Sequence, residues 1–257
     1  MIEIISGKKQ NLWRGPAILN FFSGGAGVGL YLLWIWFGPE LKEEGAFRFL
    51  DLFPAALMAL GLGAVALEAG RPFRGVYLFL NAKQSWMSRE VIFAALFILL
   101  SLMEWVTGAA FTLLTASAGI LFVVSQAMIL YRSTTVSAWH RPVLPLMFIT
   151  ASLLHGFGFH LLLMGLHILP GNTAVMIYGL ICLPLAVATW HLGLFFRFHS
   201  KGKATPIRSL RWRILDVGAG SVLPLLVLIV SILMGFPEEG GRTALDRKST
   251  RLNSSHL

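Results

Sequence analysis

The residues best suited to acid–base chemistry lie together, between two long apolar stretches of the chain. Glu68 closes one apolar run and is followed closely by two arginines, and Arg89 stands just before the next run. Opposite charges within about 4–6 Å keep a carboxylate ionised and therefore able to accept a proton. Ser88 fits a helix N-cap and Glu90 suits the positive end of a helix, so capping explains both residues. Capping does not explain Glu68, which is the first candidate for a functional acid.

Further ionisable residues occur within or at the edges of apolar stretches, where such groups are often functional. They are Glu104, His155, His160, His167, His191 and Asp216. Glu104, His167 and Asp216 fall near the ends of their stretches, so we interpret them as interfacial. The other three histidines could suggest a haem, which needs two axial ligands at one depth on neighbouring helices. At 1.5 Å per residue the closest such pair is offset by roughly 8–9 Å, which argues against haem.

The chain has one cysteine, Cys182, inside an apolar run. One thiol cannot form a disulfide framework, an iron–sulfur cluster or a thiolate zinc site within the chain. We therefore expect this chain to hold no haem, molybdenum or iron–sulfur cluster, and we assign it no metal ligand.

The composition indicates a membrane protein. Of the 257 residues, 56% are hydrophobic and 13% are charged, whereas soluble domains are nearer about 45–50% apolar and 25% charged. Lipid offers the backbone no water, so each stretch of about 20 apolar residues must be a helix. Seven stretches qualify: about 16–37, 50–67, 91–107, 110–131, 142–168, 173–196 and 214–236. The sequence thus predicts an all-α integral membrane bundle of seven transmembrane helices, a single domain over residues 1–245.

The C-terminal residues 246–257 resemble the translation of a sequencing adapter, and we expect them to be a non-native tail. Seven spans would leave the C-terminus on the side opposite the N-terminus, with only a short polar stretch after residue 236. We therefore expect the native protein to contain at least one further helix.

Basic residues are distributed unevenly between the two sides of the predicted bundle. Segments 1–15, 68–90, 132–141 and 197–213 together carry fifteen Lys and Arg, and the connections on the opposite side carry three. The positive-inside rule therefore predicts that the N-terminus and the basic loops are cytoplasmic. Anionic lipid explains much of this charge, and a docking face for a soluble partner is the alternative.

Small residues fill the middle of the first span, from Ser23 to Gly29. A phosphate-binding glycine loop would need a preceding strand, which the sequence does not predict. Small residues also let membrane helices approach closely, and this is the interpretation we favour. A thinned helix wall beside a bound flat ring remains the alternative.

Three segments resemble motifs of one family of membrane proteins. Glu68-Ala-Gly-Arg-Pro72 is similar to the His-Leu-Gly-Arg-Pro motif of the dimethyl-sulfoxide-reductase membrane-anchor family. Ser85-Trp-Met-Ser-Arg-Glu90 resembles the Ser-Trp-Leu-Ser-Arg-Glu segment of that family, and a third match runs from Tyr131 to Trp139. The resemblance extends over about residues 13–236, in register with the predicted spans.

The resemblance implies an eight-helix anchor subunit in the inner membrane of a prokaryote. Such anchors serve anaerobic respiration: they exchange electrons with a quinone or menaquinone and bind a molybdopterin catalytic subunit through an iron–sulfur subunit. The chain would then be either a non-catalytic anchor or the quinol-oxidising subunit, with no nucleic-acid partner. The family's usual histidine is Glu68 here. A carboxylate at this place can still bond a quinol hydroxyl and accept its proton.

The resemblance also implies site residues. Glu68 is the predicted catalytic proton acceptor. The residues predicted to bind quinone are Glu68, Arg71, Arg89, Asn20 and Trp139. Those predicted to dock the partner subunit are Arg71, Pro72, Arg74, Ser88, Arg89, Glu90 and Arg132.

A secondary transporter of a small solute is the alternative function. Transporters usually contain internal repeats and broken helices with polar groups at the midplane. No convincing repeat is visible here, and apart from histidines the predicted midplanes are apolar.

Overall fold

The structure of the chain, a computed structural model, describes residues 15–37, 45–68, 81–133, 142–166, 168–169 and 173–199. Its α-helices are α1 (Gly15–Phe37), α2 (Phe53–Glu68), α3 (Trp86–Thr107), α4 (Thr112–Tyr131), α5 (Leu144–Gly165) and α6 (Thr173–His199). Two 3₁₀ segments, Gly45–Leu52 and Ala109–Phe111, precede α2 and α4. No β-strand occurs within the described ranges.

Six helices of the described part are long and apolar enough to cross a membrane. The second reaches that length from Phe49, because the 3₁₀ segment continues directly into α2. The prediction of an all-α, multi-pass membrane protein is therefore confirmed. The seventh predicted span, 214–236, and the tail 246–257 lie outside the described residues.

The start of α3 differs from the prediction. Ser85, not Ser88, is the N-cap: its side chain accepts a hydrogen bond from the backbone N–H of Ser88 at 3.3 Å. The helix therefore begins at Trp86, five residues before the predicted start at 91. The apolar run failed to locate this start because the first turns of α3 carry polar side chains that are buried between helices.

The helices alternate in direction, which the contacts at both ends of the bundle indicate. Asn20, early in α1, hydrogen-bonds Glu90, early in α3, and its backbone carbonyl meets Gln126, late in α4. Tyr31, late in α1, hydrogen-bonds Glu104, late in α3. We call these two ends of the bundle the Glu90 end and the Glu104 end. The basic segments 1–15 and 68–90 adjoin the Glu90 end, where α1 begins and α2 finishes.

Helix α1 packs mainly on α2 and α5, and its glycines make this packing possible. A Cβ atom on Gly25 would lie 2.8 Å from Oγ of Ser152, and one on Gly29 would collide with the backbone of the same α5 residue. A Cβ on Gly27 would collide with the carbonyl oxygen of Pro54 in α2. The close-approach interpretation of the small-residue run is thus confirmed, since protein atoms occupy the space beside these glycines.

An apolar layer separates the two ends. Val28, Met58, Phe97 and Phe122 are buried together between α1, α2, α3 and α4. Large apolar side chains such as Leu113 and Ile181 are exposed on the outside, as expected of surfaces that face lipid.

Candidate functional site

A buried polar cluster lies at the Glu90 end, between α1, α3 and α4. Nδ2 of Asn20 donates to Oε1 of Glu90 at 2.8 Å, and Nε2 of Gln126 donates to the same oxygen at 3.1 Å. Nε2 of Gln126 also donates to the backbone carbonyl of Asn20 at 3.3 Å. The exposed fractions are 5% for Asn20, 6% for Glu90 and 0% for Gln126. One carboxylate oxygen is thus held from two helices by amide groups.

Two oxygen atoms of this cluster, Oδ1 of Asn20 and Oε1 of Gln126, are buried without a hydrogen-bond partner among the described residues. The hydrogen bonds that described residues donate to Glu90 both go to its Oε1. A buried polar atom without a partner costs about 1–3 kcal/mol. Such atoms in a native protein indicate a place for water or for a ligand that donates hydrogen bonds.

Glycines make room for these polar side chains. A Cβ on Gly61 of α2 would lie 3.0 Å from Oδ1 of Asn20. A Cβ on Gly24 of α1 would lie 3.5 Å from Nε2 of Gln126 and 2.6 Å from the ring of Phe122. Small residues on α1 and α2 therefore allow the amides to reach Glu90 between the closely packed helices.

A positively charged rim lies beside this cluster, around Trp86. The guanidinium carbon of Arg89 is 4.2 Å from the centroid of the Trp86 ring, and that of Arg132 is 5.8 Å away. Arg89 also donates to the backbone carbonyls of Ala82 and Lys83, at 2.8 and 2.9 Å. Cation–π contacts of this kind contribute about 0.5–1 kcal/mol at exposed sites. Arg89 therefore fixes the turn that precedes α3.

The predicted quinone-binding residues are only partly described. Asn20 lies in the buried cluster and Arg89 on the rim. Glu68 is the last residue of α2, at the Glu90 end, and its side chain is outside the described part. Two helical turns separate Glu68 from Gly61 along α2. Four predicted site residues lie outside the described residues: Arg71, Pro72, Arg74 and Trp139.

The residues predicted to dock a partner differ in exposure. Arg132 lies on the rim. Ser88 and Glu90 are buried inside the bundle, so neither side chain faces outward in this chain. Ser88 Oγ has no partner among the described residues, and its place two residues before Glu90 puts it on another side of α3.

Gln126 belongs to the cluster but was not predicted from the sequence. The signal was a neutral amide within the apolar run 112–131. Glutamine is not ionisable and so is not among the candidates chosen by charge, although an amide inside a membrane span also needs a hydrogen-bond partner.

A second acidic cluster occupies the Glu104 end. The Tyr31 hydroxyl lies 2.9 and 2.8 Å from the two carboxylate oxygens of Glu104, and Thr115 donates to Oε1 at 2.5 Å. Glu104 is half-buried near the C-terminal end of α3, as its interfacial interpretation predicts. Its carboxylate is fully engaged by side chains of α1 and α4, which indicates a structural contact.

The histidines of α5 make aromatic and hydrogen-bonded contacts. His160 is fully buried, and its Nδ1 accepts a hydrogen bond from Nε1 of Trp34 at 3.1 Å. A neutral imidazole that accepts at Nδ1 carries its proton on Nε2, which then cannot bind a metal. The ring of His155 lies 4.7 Å from that of Phe22. Among the described residues, no three His, Cys, Asp or Glu side chains are grouped as a metal ion would require.

Comparison with known proteins identifies the family. The sequence model of the DMSO reductase anchor subunit (DmsC) family matches residues 10–194, well over half of the chain. No curated protein and no solved structure matches the chain. The match includes the segments around Glu68, Glu90 and Tyr131 that carry the resemblance, and it confirms that resemblance. The chain therefore belongs to the DMSO reductase anchor subunit (DmsC) family.

Proposed function

We propose that this anchor subunit oxidises a quinol at the Glu90 end of its bundle. The electrons would pass to an iron–sulfur partner subunit and from it to a molybdenum catalytic subunit. The observation that carries the proposal is the buried Glu90 carboxylate, held on one oxygen by Asn20 and Gln126 with unpaired acceptor atoms beside it.

The acceptor atoms fit the chemistry of a quinol. A quinol presents two hydroxyl donors and, when oxidised, supplies two electrons and two protons. The Glu90 cluster presents the complementary acceptors, Oδ1 of Asn20, Oε1 of Gln126 and Oε2 of Glu90. A carboxylate within hydrogen-bond reach of a hydroxyl is a competent general base.

Each residue of the cluster has a distinct role in this proposal. Asn20 and Gln126 fix Oε1 of Glu90, which directs Oε2 towards the substrate. Glu90 takes one proton at Oε2. Glu68, at the end of α2, is the second acid of the same end and the predicted acceptor of the other proton. Two acids at one end match the two protons that must leave.

The rim supports partner docking at the same end. The rim includes Trp86 and Arg89, which precede Glu90 in the sequence, and Arg132, which lies beside Trp86. Arg89 holds the preceding turn in place. A partner bound there would bring its nearest cluster close to the quinol. The excess of basic residues in the adjoining segments supports a cytoplasmic position for this end, by the positive-inside rule.

The transporter alternative receives no specific support. A transporter site is formed by broken helices near the midplane. Here the apolar layer that includes Phe97 and Phe122 fills the middle of the bundle, where α1, α2, α3 and α4 meet. The acids of the described helices lie towards the two ends.

The substitution Glu90→Gln tests the proposal. It keeps the shape of the side chain and removes the base, so quinol-linked turnover should fall about 10²-fold or more. Turnover with a soluble artificial electron donor should stay normal, measured per assembled complex. Glu104→Gln is the matched control, since it makes the same change at the other end and should leave quinol-linked turnover intact. Normal quinol-linked turnover in an assembled Glu90→Gln complex would remove Glu90 from the reaction.

A further inference from the structure

We infer that Gln126 is a specificity-determining residue, which makes the Glu90 site favour the reduced, hydroxyl-bearing form of its quinone over the oxidised form. The inference rests on the proposed quinol site. It adds that the direction of the amide groups, and not only the shape of the site, discriminates between the two redox forms.

The carboxylate dictates which way the Gln126 amide points. Only the NH₂ group can face a carboxylate oxygen, because the amide oxygen and the carboxylate both accept hydrogen bonds. Nε2 lies 3.1 Å from Oε1 of Glu90 and 3.3 Å from the backbone carbonyl of Asn20, so its two hydrogens have two acceptors. The Gln126 side chain therefore has no hydrogen left for a ligand, and its carbonyl oxygen is the free end.

Asn20 points the same way. Its Nδ2 is turned to Glu90 at 2.8 Å, and its Oδ1 is buried without a partner, facing α2 at Gly61. The two amides thus leave their oxygen atoms, and not their NH₂ groups, as the free polar atoms of the cluster. A ligand at this place must donate hydrogen bonds to satisfy them.

The oxygen atoms of the two redox forms of a quinone differ in one property, their ability to donate hydrogen bonds. The reduced form donates from two hydroxyls. Its oxidation removes two electrons, which go to the partner's iron–sulfur cluster, and two protons, which go to Glu90 and Glu68. The oxidised form then has two carbonyl oxygens that only accept. Facing Oε1 of Gln126, such a carbonyl leaves both atoms unpaired, so the product binds more weakly and leaves.

The experiment uses the intact complex with its partner subunits and a short-chain naphthoquinol as substrate. The corresponding naphthoquinone, added as an inhibitor, should have a Ki about tenfold above the KM of the quinol, the effect of one lost hydrogen bond. Gln126→Met keeps the length of the side chain and removes both the NH₂ group and the carbonyl oxygen of the amide. It should raise the KM of the quinol about 3- to 10-fold and lower the Ki of the quinone, because the quinone carbonyl no longer faces an amide oxygen.

Ser125→Ala is the matched control. Ser125 is buried next to Gln126 in α4, but its hydroxyl donates to Leu121 in its own helix. Both constants should therefore stay at their wild-type values in that variant.

If the Gln126→Met complex does not assemble, a ligand without hydrogen-bond donors tests the inference in the wild-type complex. The dimethyl ether of the naphthoquinol has the same rings and no hydroxyl, and it should inhibit the wild-type complex no better than the quinone does. An ether or a quinone that binds as tightly as the quinol would overturn the inference, as would equal changes of both constants in Gln126→Met. A wild-type complex that does not oxidise quinol would instead overturn the proposed function itself.

Discussion

Nδ2 of Asn20 lies 2.8 Å from Oε1 of Glu90, although 70 residues separate the two in the sequence. Both side chains are buried, so this bond links α1 to α3 inside the bundle. Hydrogen bonds between membrane helices contribute on average only about 0.6 kcal/mol. Removing this donor is costlier, because a hydrogen bond to a charged group contributes about 1.5–3 kcal/mol.

Asn20→Leu should therefore destabilise the assembled complex by about 1–3 kcal/mol. The midpoint temperature of thermal inactivation, followed with an artificial electron donor, measures this loss. Ser23→Ala is the control on the same helix, because the Ser23 hydroxyl donates only within α1, to Leu19. Equal midpoints for the two variants would show that the Asn20–Glu90 bond contributes nothing to stability.

Glu68→Gln should slow quinol-linked turnover about 10²-fold, at the low end of general-base effects. The variant keeps the shape of the side chain at the end of α2 and removes its ability to take a proton. Turnover with a soluble donor and the amount of complex in the membrane should not change. A fall in complex abundance at unchanged quinol turnover per complex would indicate a structural ion pair instead.

Gly156→Ala should weaken the contact between α1 and α5. An added Cβ at this position would collide with the backbone of Gly29 and Leu30. Overpacking of this kind costs about 1–3 kcal/mol, which should appear as a lower midpoint of thermal inactivation. Gly158→Ala, on the same helix with nothing within 4 Å, should be neutral or stabilising by up to about 1 kcal/mol. Equal midpoints for Gly156→Ala and Gly158→Ala would show that the close contact at Gly156 does not contribute to stability.

A reporter fused within residues 197–213 should behave as cytoplasmic. This segment carries six basic residues, and such segments resist translocation across the membrane. A fluorescent protein that matures only in the cytoplasm should be active there, and alkaline phosphatase should be inactive. Phosphatase activity from the fusion would place the basic segments, and with them the Glu90 end, on the outer side.

Hydropathy alone predicted most of the fold. The first six predicted spans agree with α1 to α6 to within a few residues, because lipid requires long apolar helices whatever their packing. The start of α3 was placed too late, since the polar residues from Trp86 to Glu90 are helical and partly buried. Buried polar residues cannot be recognised from hydropathy, which assumes that every polar side chain marks the end of a span.

The candidate site was predicted in part. The motif at the start of α3 includes Glu90, and the resemblance implies that Asn20 binds quinone. Their contact with each other and with Gln126 depends on how α1, α3 and α4 rotate about their axes. Sequence periodicity hardly defines that rotation here, because the helices are apolar on nearly all sides.

Glu90 and Glu104 fasten α3 at both ends to the same two neighbours, α1 and α4. The two acids are fourteen positions apart, about 21 Å of helix, and project from nearly the same side of α3. A slip of one residue would turn both carboxylates about 100° away from their partners. The tip of α3, with the turn from Asn81 to Ser85, is therefore held at one depth. In the proposed function, this would make the distance over which an electron tunnels from this end to a docked subunit a property of the protein, insensitive to the thickness of the bilayer.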